Sequence, residues 1–270
     1  MTWNPLKKNH LTTKLTFASP VIDRNVDQQL EVIYHRLQYL EETTRKLQKN
    51  MKKYLDHLSN ACKAEQKITT DLSSSQLCYQ NEEFRKIVEN YHTIAAKGNE
   101  NVKEVSLVCQ QAFQDPLKKY GSFFSGIDMV FHRREQLVQE WRNISGKVRK
   151  MEERERTASN LVKLDRERKA LEVVSQELIS YHNSLISELN QFLSKRVDYF
   201  DPIFLILVRS LVDYYGDMTR LFTHLITLPS PPQDASPSSA CIPEEEYQQK
   251  IQAKLAKIRA LSIVKPSKSK

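Results

Sequence analysis

Glycine is scarce, with five in 270 residues. A chain so poor in the residue of tight turns is not a β-sandwich or barrel, whose many short connections depend on it. Cysteine is scarce too. Cys62, Cys78, Cys109 and Cys241 form no CxxC pair and no metal-ligand spacing. Neither a zinc module nor a disulfide framework is expected, and the thiols read as reduced, as in an intracellular protein. Long apolar runs are missing: the longest, Ile203 to Val208, is far too short to cross a bilayer. The first 20 residues carry Asn4, Pro5, Lys7, Lys8 and His10 where a secretion signal needs an apolar core. Catalytic signatures are missing as well. There is no P-loop, no GxGxxG and no HExxH, and the seven histidines are well separated. No enzyme, metal or cofactor is expected. The triplet Asn143-Ile144-Ser145 matches a glycosylation site, but it lies inside a helical stretch and reads as a chance match.

What the chain has instead is Leu, Lys, Glu, Gln and Arg, the composition of long helices. Its net charge of +8 favours an anionic partner: nucleic acid, an acidic membrane leaflet or an acidic protein. Nucleic acid is the poorest fit, because no reading motif is present and the basic residues are not interleaved with exposed aromatics.

Apolar residues recur in steps of three and four, the mark of helices packed along a seam. A first series runs Leu30, Ile33, Leu37, Leu40, Thr44, Leu47, Met51, Tyr54, Leu58, Ala61, with Asn25 and Gln28 resembling a capping box ahead of it. "DLSSSQLCYQN" interrupts the pattern, and Asn81 followed by Glu82 and Glu83 predicts a new helix start. The second helix continues to Ala112, and beyond Pro116 resumes with its seam slipped by one residue: Leu117, Tyr120, Phe124, Ile127, Phe131, Arg134, Val138, Trp141. A third opens near Thr157 to Asn160, and its seam slips by one again after Pro202. The chain then divides into an N-terminal segment (1–24), a helical body (25–228), a Pro/Ser-rich linker (229–243) expected to be disordered, and a short amphipathic piece (244–270). Ile251, Leu255, Ile258 and Leu261 share one face of that piece, which is expected to fold back on the body.

The two helix prolines carry information. A helix interior tolerates proline at a cost of about 3 kcal/mol. If the second and third helices form a hairpin turning at 157–160, Pro116 and Pro202 both lie about 40 residues from the turn, so the two kinks sit level and bend the bundle together. Each arm beyond them is roughly 60 Å long at 1.5 Å per residue. The first helix is too short to cover the others, which leaves a two-helix tip. The segment after Pro202 is apolar almost all round, more than two neighbours in one chain can bury, and this predicts a dimer. Ile203, Phe204, Leu207, Leu211, Tyr214 and Met218 are its expected core.

These features converge on a resemblance. "MTWNPLKK", "RLQYLEETTRKLQKNMKKY", "DPLKKYGSFF", "HRREQLVQEW", "KRVDYFDPIF", "VDYYGDMTRLF" and "IRALSIV" resemble, in order and over nearly the whole chain, the BAR-domain family of the amphiphysin and Rvs type. The resemblance implies an all-α fold: an elongated, kinked, antiparallel three-helix coiled-coil bundle that forms a crescent-shaped dimer. It also implies a non-enzymatic, cytoplasmic, peripheral membrane protein. Such a protein binds anionic phospholipid membranes, senses or generates curvature, and is linked to endocytosis and the actin cytoskeleton. The dimer is with itself or with another BAR protein. Many amphiphysin-type members carry a C-terminal SH3 domain, and none is expected here.

In that family, basic residues of the concave face and arm tips contact lipid headgroups. Arg133 and Arg134 match the concave-side segment; Lys147, Arg149, Lys150, Arg154, Arg156, Lys163, Arg166 and Lys169 fall at the tip. Over 130–170 there are 12 Lys/Arg against 7 Asp/Glu, a less purely basic surface than membrane binding favours. The alternative for the tip is a solvated face of i,i+4 ion pairs. Arg134 lies on the seam register, so its alternative is a buried carboxylate partner. The segment "WNPLKKNHLTTKLTF" offers a membrane-inserting helix anchored by Trp3 and Leu6 with Lys7 and Lys8, although Lys7 and Lys14 interrupt its apolar arc and its threonines weaken helix. The competing function is a coiled-coil adaptor that binds a small GTPase or an actin regulator.

Overall fold

The computed structural model describes residues 10–18, 20–153, 155, 157–226 and 244–261. Its elements are α1 (Arg24–Ser73), α2 (Gln76–Gln80), α3 (Glu82–Cys109), a π-helical turn (Gln110–Gln114), α4 (Asp115–Glu152), α5 (Ala158–Ile226) and α6 (Glu244–Arg259). Among the described residues there is no strand, and no helix is long and apolar enough to cross a membrane.

Helix starts follow side-chain capping. The Asp23 carboxylate accepts from the Asn25 N–H at 2.7 Å and caps α1. The cap therefore lies two residues ahead of the expected Asn25–Gln28 box. Asn81 caps α3 as expected, accepting from the Phe84 N–H at 2.9 Å. The α3, π-turn and α4 segments run on without a break and pack antiparallel to α5, while α1 packs on α3 and touches α4 and α5. The core is a string of three apolar clusters. The innermost holds Met51, Cys62, Val102, Val105 and Phe113; the middle one holds Ile33, Leu37, Phe124, Phe131 and Leu189; the outermost holds Leu137, Trp141, Val174 and Leu178. The outermost cluster also takes Ala18 and Ile22, just ahead of α1. Farther out, α4 and α5 continue as a pair to the turn at 153–157, the thin arm that the unequal helix lengths predict.

The slipped seam has a local cause. At the π-turn the Asp115 N–H donates to the Gln110 carbonyl, five residues back. A π-turn carries one residue more than an α-turn, so every side chain beyond it is shifted by one. The slip thus precedes Pro116 and does not arise at it. Pro116 lands in the first turn of α4, where a missing N–H costs little. The Tyr199 hydroxyl donates to the Pro116 carbonyl at 2.9 Å, which sets the approach to Pro202 beside Pro116. α5 runs as one helix of 69 residues, about 100 Å, with Pro202 in its interior.

The C-terminal helix departs from expectation. Leu255, Ile258 and Leu261 of the α6 region are 42%, 53% and 51% exposed, and α6 makes no extended contact with the body among the described residues.

Candidate functional site

The arm tip gathers six of the expected cations. Lys147, Arg149 and Lys150 sit on the last turns of α4; Lys163, Arg166 and Lys169 sit on the first turns of α5; all are exposed. Some are already paired: Arg149 with Glu153 at 3.8 Å, and Lys169 with Asp165 at 2.8 Å. The Asp165 hydrogen bond and charge raise the Lys169 ammonium pKa. Nearby, Arg168 meets Glu152 at 2.6 Å, tying α5 to α4. Exposed pairs of this kind are weak and screened by salt. Lys147, Lys150, Lys163 and Arg166 have no ion-pair partner among the described residues, and their charge is open to an anionic surface. Arg154 and Arg156 lie outside the described residues. Arg133 is exposed, bridging to Glu177 across the hairpin at 3.0 Å.

Arg134 is not part of any surface. Only 1% exposed, it donates to Asp27 at 2.5 Å, to Glu135 at 2.5 Å and to the Thr16 carbonyl at 2.5 Å. Its assignment to lipid contact is overturned; the seam register had offered the correct alternative, a buried carboxylate partner. His182 lies beside it, fully buried, with Nδ1 3.8 Å from Asp27. Burial and the Arg134 charge lower its pKa, outweighing the Asp27 carboxylate and the Val26 carbonyl. The imidazole is therefore held neutral.

Residues 10–18 form an extended strap across α1 and α4. Four carboxylates take its donors: Glu41 from the His10 N–H (2.7 Å) and Leu11 N–H (3.2 Å), Asp128 from the Thr12 and Thr13 N–H groups and the Thr13 hydroxyl, Glu135 from Thr16, and Asp27 from the Ala18 N–H (2.7 Å). Arg142 donates in return to the Phe17 carbonyl at 2.7 Å. Leu11 is buried to 2%. The C-terminal part of the expected inserting helix is thus neither helical nor free, because its backbone donors are claimed by acids of the body. Trp3, Leu6, Lys7 and Lys8 lie outside the described residues.

The expected dimer core is redrawn. Ile203 and Tyr214 are buried inside the protomer against Met51, Val102 and Val105, with Leu207, Leu211 and Met218 packed on the same cluster. Burial and the neighbouring Cys62 push the Tyr214 phenol up to about 12. The Cβ that Gly98 lacks would stand 3.2 Å from the Met218 methyl, so α3 and α5 meet closely there. Only Phe204 faces outward, 42% exposed, with its ring against Phe113. The apolar surface that remains on α5 holds Leu205, Ile206, Val208 and Val212, with Val197 at its edge, all more than two-fifths exposed, while the Tyr215 hydroxyl meets that of Tyr54 on α1 at 3.0 Å. Beside it runs a groove lined by Leu40, Thr43, Leu47, Val197 and Phe200.

One cationic surface escaped the sequence reading. Lys49, Lys52, Lys53, Lys63 and Lys67 of α1 are exposed and make no ion pair among the described residues. Their spacing places them on the helix face opposite the Met51–Cys62 seam. That spacing is their signal in the sequence, and it is masked by the denser charge run at the tip.

The BAR domain family model matches residues 12–227. Bridging integrator 3 of Homo sapiens is 34% identical over 264 residues, covering 98% of this chain and 99% of that protein. Reduced viability upon starvation protein 161 of Saccharomyces cerevisiae is 26% identical, covering 82% of this chain and 84% of its own. Regulator of cytoskeleton and endocytosis RVS161 of Candida albicans is 24% identical, covering 77% and 80% respectively. With the kinked helical hairpin, the strapped short helix and a match that spans the bundle from the strap to the end of α5, the chain belongs to the BAR-domain family, whose members are structural, membrane-remodelling proteins and not enzymes.

Proposed function

We propose that two copies of this chain pair through the outward face of α5 into a crescent that binds anionic membranes and senses or generates their curvature. The role is cytoplasmic and peripheral, in endocytosis and actin organisation, in line with the name of the Candida relative, a regulator of cytoskeleton and endocytosis. The observation that carries lipid binding is the distribution of unpaired charge. Lys147, Lys150, Lys163 and Arg166 at the tip and Lys49, Lys52, Lys53, Lys63 and Lys67 on α1 form two open cationic fields on a rigid body. Each cation close to an anionic leaflet contributes about 1 kcal/mol, fading within a Debye length. The reach of Tyr199, three residues before Pro202, to the Pro116 carbonyl supports the reading that both helices bend at this level. The tip ion pairs favour a second reading, an adaptor for a small GTPase or an actin regulator, with lipid contact incidental. Cosedimentation with phosphatidylserine-rich vesicles at low and high salt separates the two. The membrane reading expects strong, salt-sensitive pelleting that drops more than tenfold in Lys147→Glu/Arg149→Glu/Lys150→Glu. Weak pelleting of the parent chain at both salts supports the adaptor.

A further inference from the structure

We infer that α6 is a second lipid-binding element, a basic amphipathic helix that lies in the headgroup region of an anionic membrane. It lies beyond residues 12–227, outside the part of the chain that the BAR model covers. From residue 251 onward the sequence carries Lys/Arg and no Asp/Glu; on α6 itself these cations are Lys254, Lys257 and Arg259, with Lys250 one turn earlier, and Glu244, Glu245 and Glu246 are confined to its first turn. Ile251, Leu255 and Ile258 share one side of the helix in steps of four and three, and Leu261 follows in the turn just past its end. Leu255, Ile258 and Leu261 present that side to solvent. Lys257 and Arg259 flank the apolar arc and Lys254 lies within its edge, close enough for their alkyl stems to lie along the apolar surface while the charged ends reach phosphate. An apolar stripe bordered by cations, with no acid among them, matches an acidic lipid surface on both counts: the stripe enters the acyl boundary and the cations meet the headgroups. An acidic groove on a protein would satisfy the charge, and an apolar groove the stripe; the membrane offers both without a shaped partner.

The inference deepens the membrane reading and shares its premise that the protein works on anionic bilayers, yet α6 is tested separately from the crescent. The full-length chain is compared with Leu255→Ser/Ile258→Ser, with Lys254→Glu/Lys257→Glu/Arg259→Glu, and with the α4 tip triple variant. Large vesicles of phosphatidylcholine with and without phosphatidylserine are used, so that curvature plays no part. Both α6 variants should bind anionic vesicles at least tenfold more weakly, with helicity and dimer mass unchanged, and the serine variant should also lose the binding that survives high salt. Undiminished binding of both α6 variants overturns the inference, and a lowered thermal midpoint alongside it would assign the stripe to the protein's own body. Equal binding of the parent to neutral vesicles would overturn the lipid class. If the tip variant binds normally while the α6 variants do not, the crescent reading fails and α6 stands. The reverse pattern retains the crescent and removes α6.

Discussion

Arg134 illustrates how one side chain ties four segments together. Its guanidinium joins α4 to Asp27 of α1 and to the Thr16 carbonyl of the strap, and it stands beside His182 of α5. Removing one partner of a buried pair strands the other charge, which costs about 3–5 kcal/mol. Arg134→Ala should therefore lower the thermal midpoint sharply while leaving the vesicle affinity of the remaining folded protein unchanged; lipid affinity lost with stability intact would return Arg134 to the surface. His182 yields a prediction with a sign. Its native pKa is lowered, so as pH falls below about 6.5 the unfolded chain takes up a proton that the native imidazole refuses. Stability contributed at neutral pH is lost on acidification through the interval down to the lowered native value. His182→Leu should flatten the decline in thermal midpoint between pH 7.5 and 5.5. A parallel decline in parent and variant would place the acid sensitivity elsewhere.

Among the elements, the π-turn and the strap determine how α1 and α4 fit. Because Pro116 sits in the first turn of α4, Pro116→Ala should change stability by less than about 1 kcal/mol. Pro202 interrupts the interior of α5, where relief of the ring clash and the missing N–H is worth up to about 3 kcal/mol. Pro202→Ala should be the more stabilising of the two in chemical denaturation, and the opposite order would mean that α5 needs its proline for packing. The strap is held by charge-assisted hydrogen bonds, each contributing about 1.5–3 kcal/mol. Asp128 accepts three of them from Thr12 and Thr13. All three fall on the single oxygen Oδ1 and the Thr12 bond is exposed, so their contributions do not add in full; Asp128→Ala should cost about 2–3 kcal/mol and raise amide exchange across residues 10–18 before it does so in α4. Unaltered protection there would show that Leu11 and Ala18 hold the strap alone.

At the scale of the whole molecule, assembly and curvature are linked. Leu205→Glu with Val212→Glu places two charges on the outward face of α5 without touching the protomer's own seam at Ile203 and Tyr214. Light scattering at micromolar concentration should then fall from twice the 31.5 kDa chain mass to the chain mass, with helicity retained. A dimer that persists would move the interface away from this face. In the double variant Pro116→Ala/Pro202→Ala the π-turn still shifts the seam by a residue, so the arm should flatten only in part. The protein should remain dimeric and bind anionic vesicles, with less preference for small vesicles over large ones. A wild-type ratio would locate curvature in the π-turn and the dimer angle.

Periodicity carries the local plan of this protein because a helix seam repeats every three or four residues whatever lies against it. The three long helices, the Asn81 cap, the two-helix arm and the one-residue slip ahead of Pro116 were legible for that reason, and "DPLKKYGSFF" and its companions pointed to the family. What periodicity does not encode is which neighbour covers a given face. Ile203 and Tyr214 repeat as a seam must, yet only the approach of α1 and α3 decided that they belong to the protomer's core and left Leu205, Val208 and Val212 outside. The strap escaped notice for the same reason. His10 to Ala18 are polar and irregular, and their order comes from Glu41, Asp128, Glu135 and Asp27, up to 119 residues away in sequence. The sequence by itself determined the helices, their lengths and the sign of their charge, since these rest on contacts within a few residues. The fate of each charge, Arg134 sealed in the core and Lys49, Lys52, Lys53, Lys63 and Lys67 left exposed on α1, was decided only in the tertiary structure, where burial sets the cost of an unpaired ion.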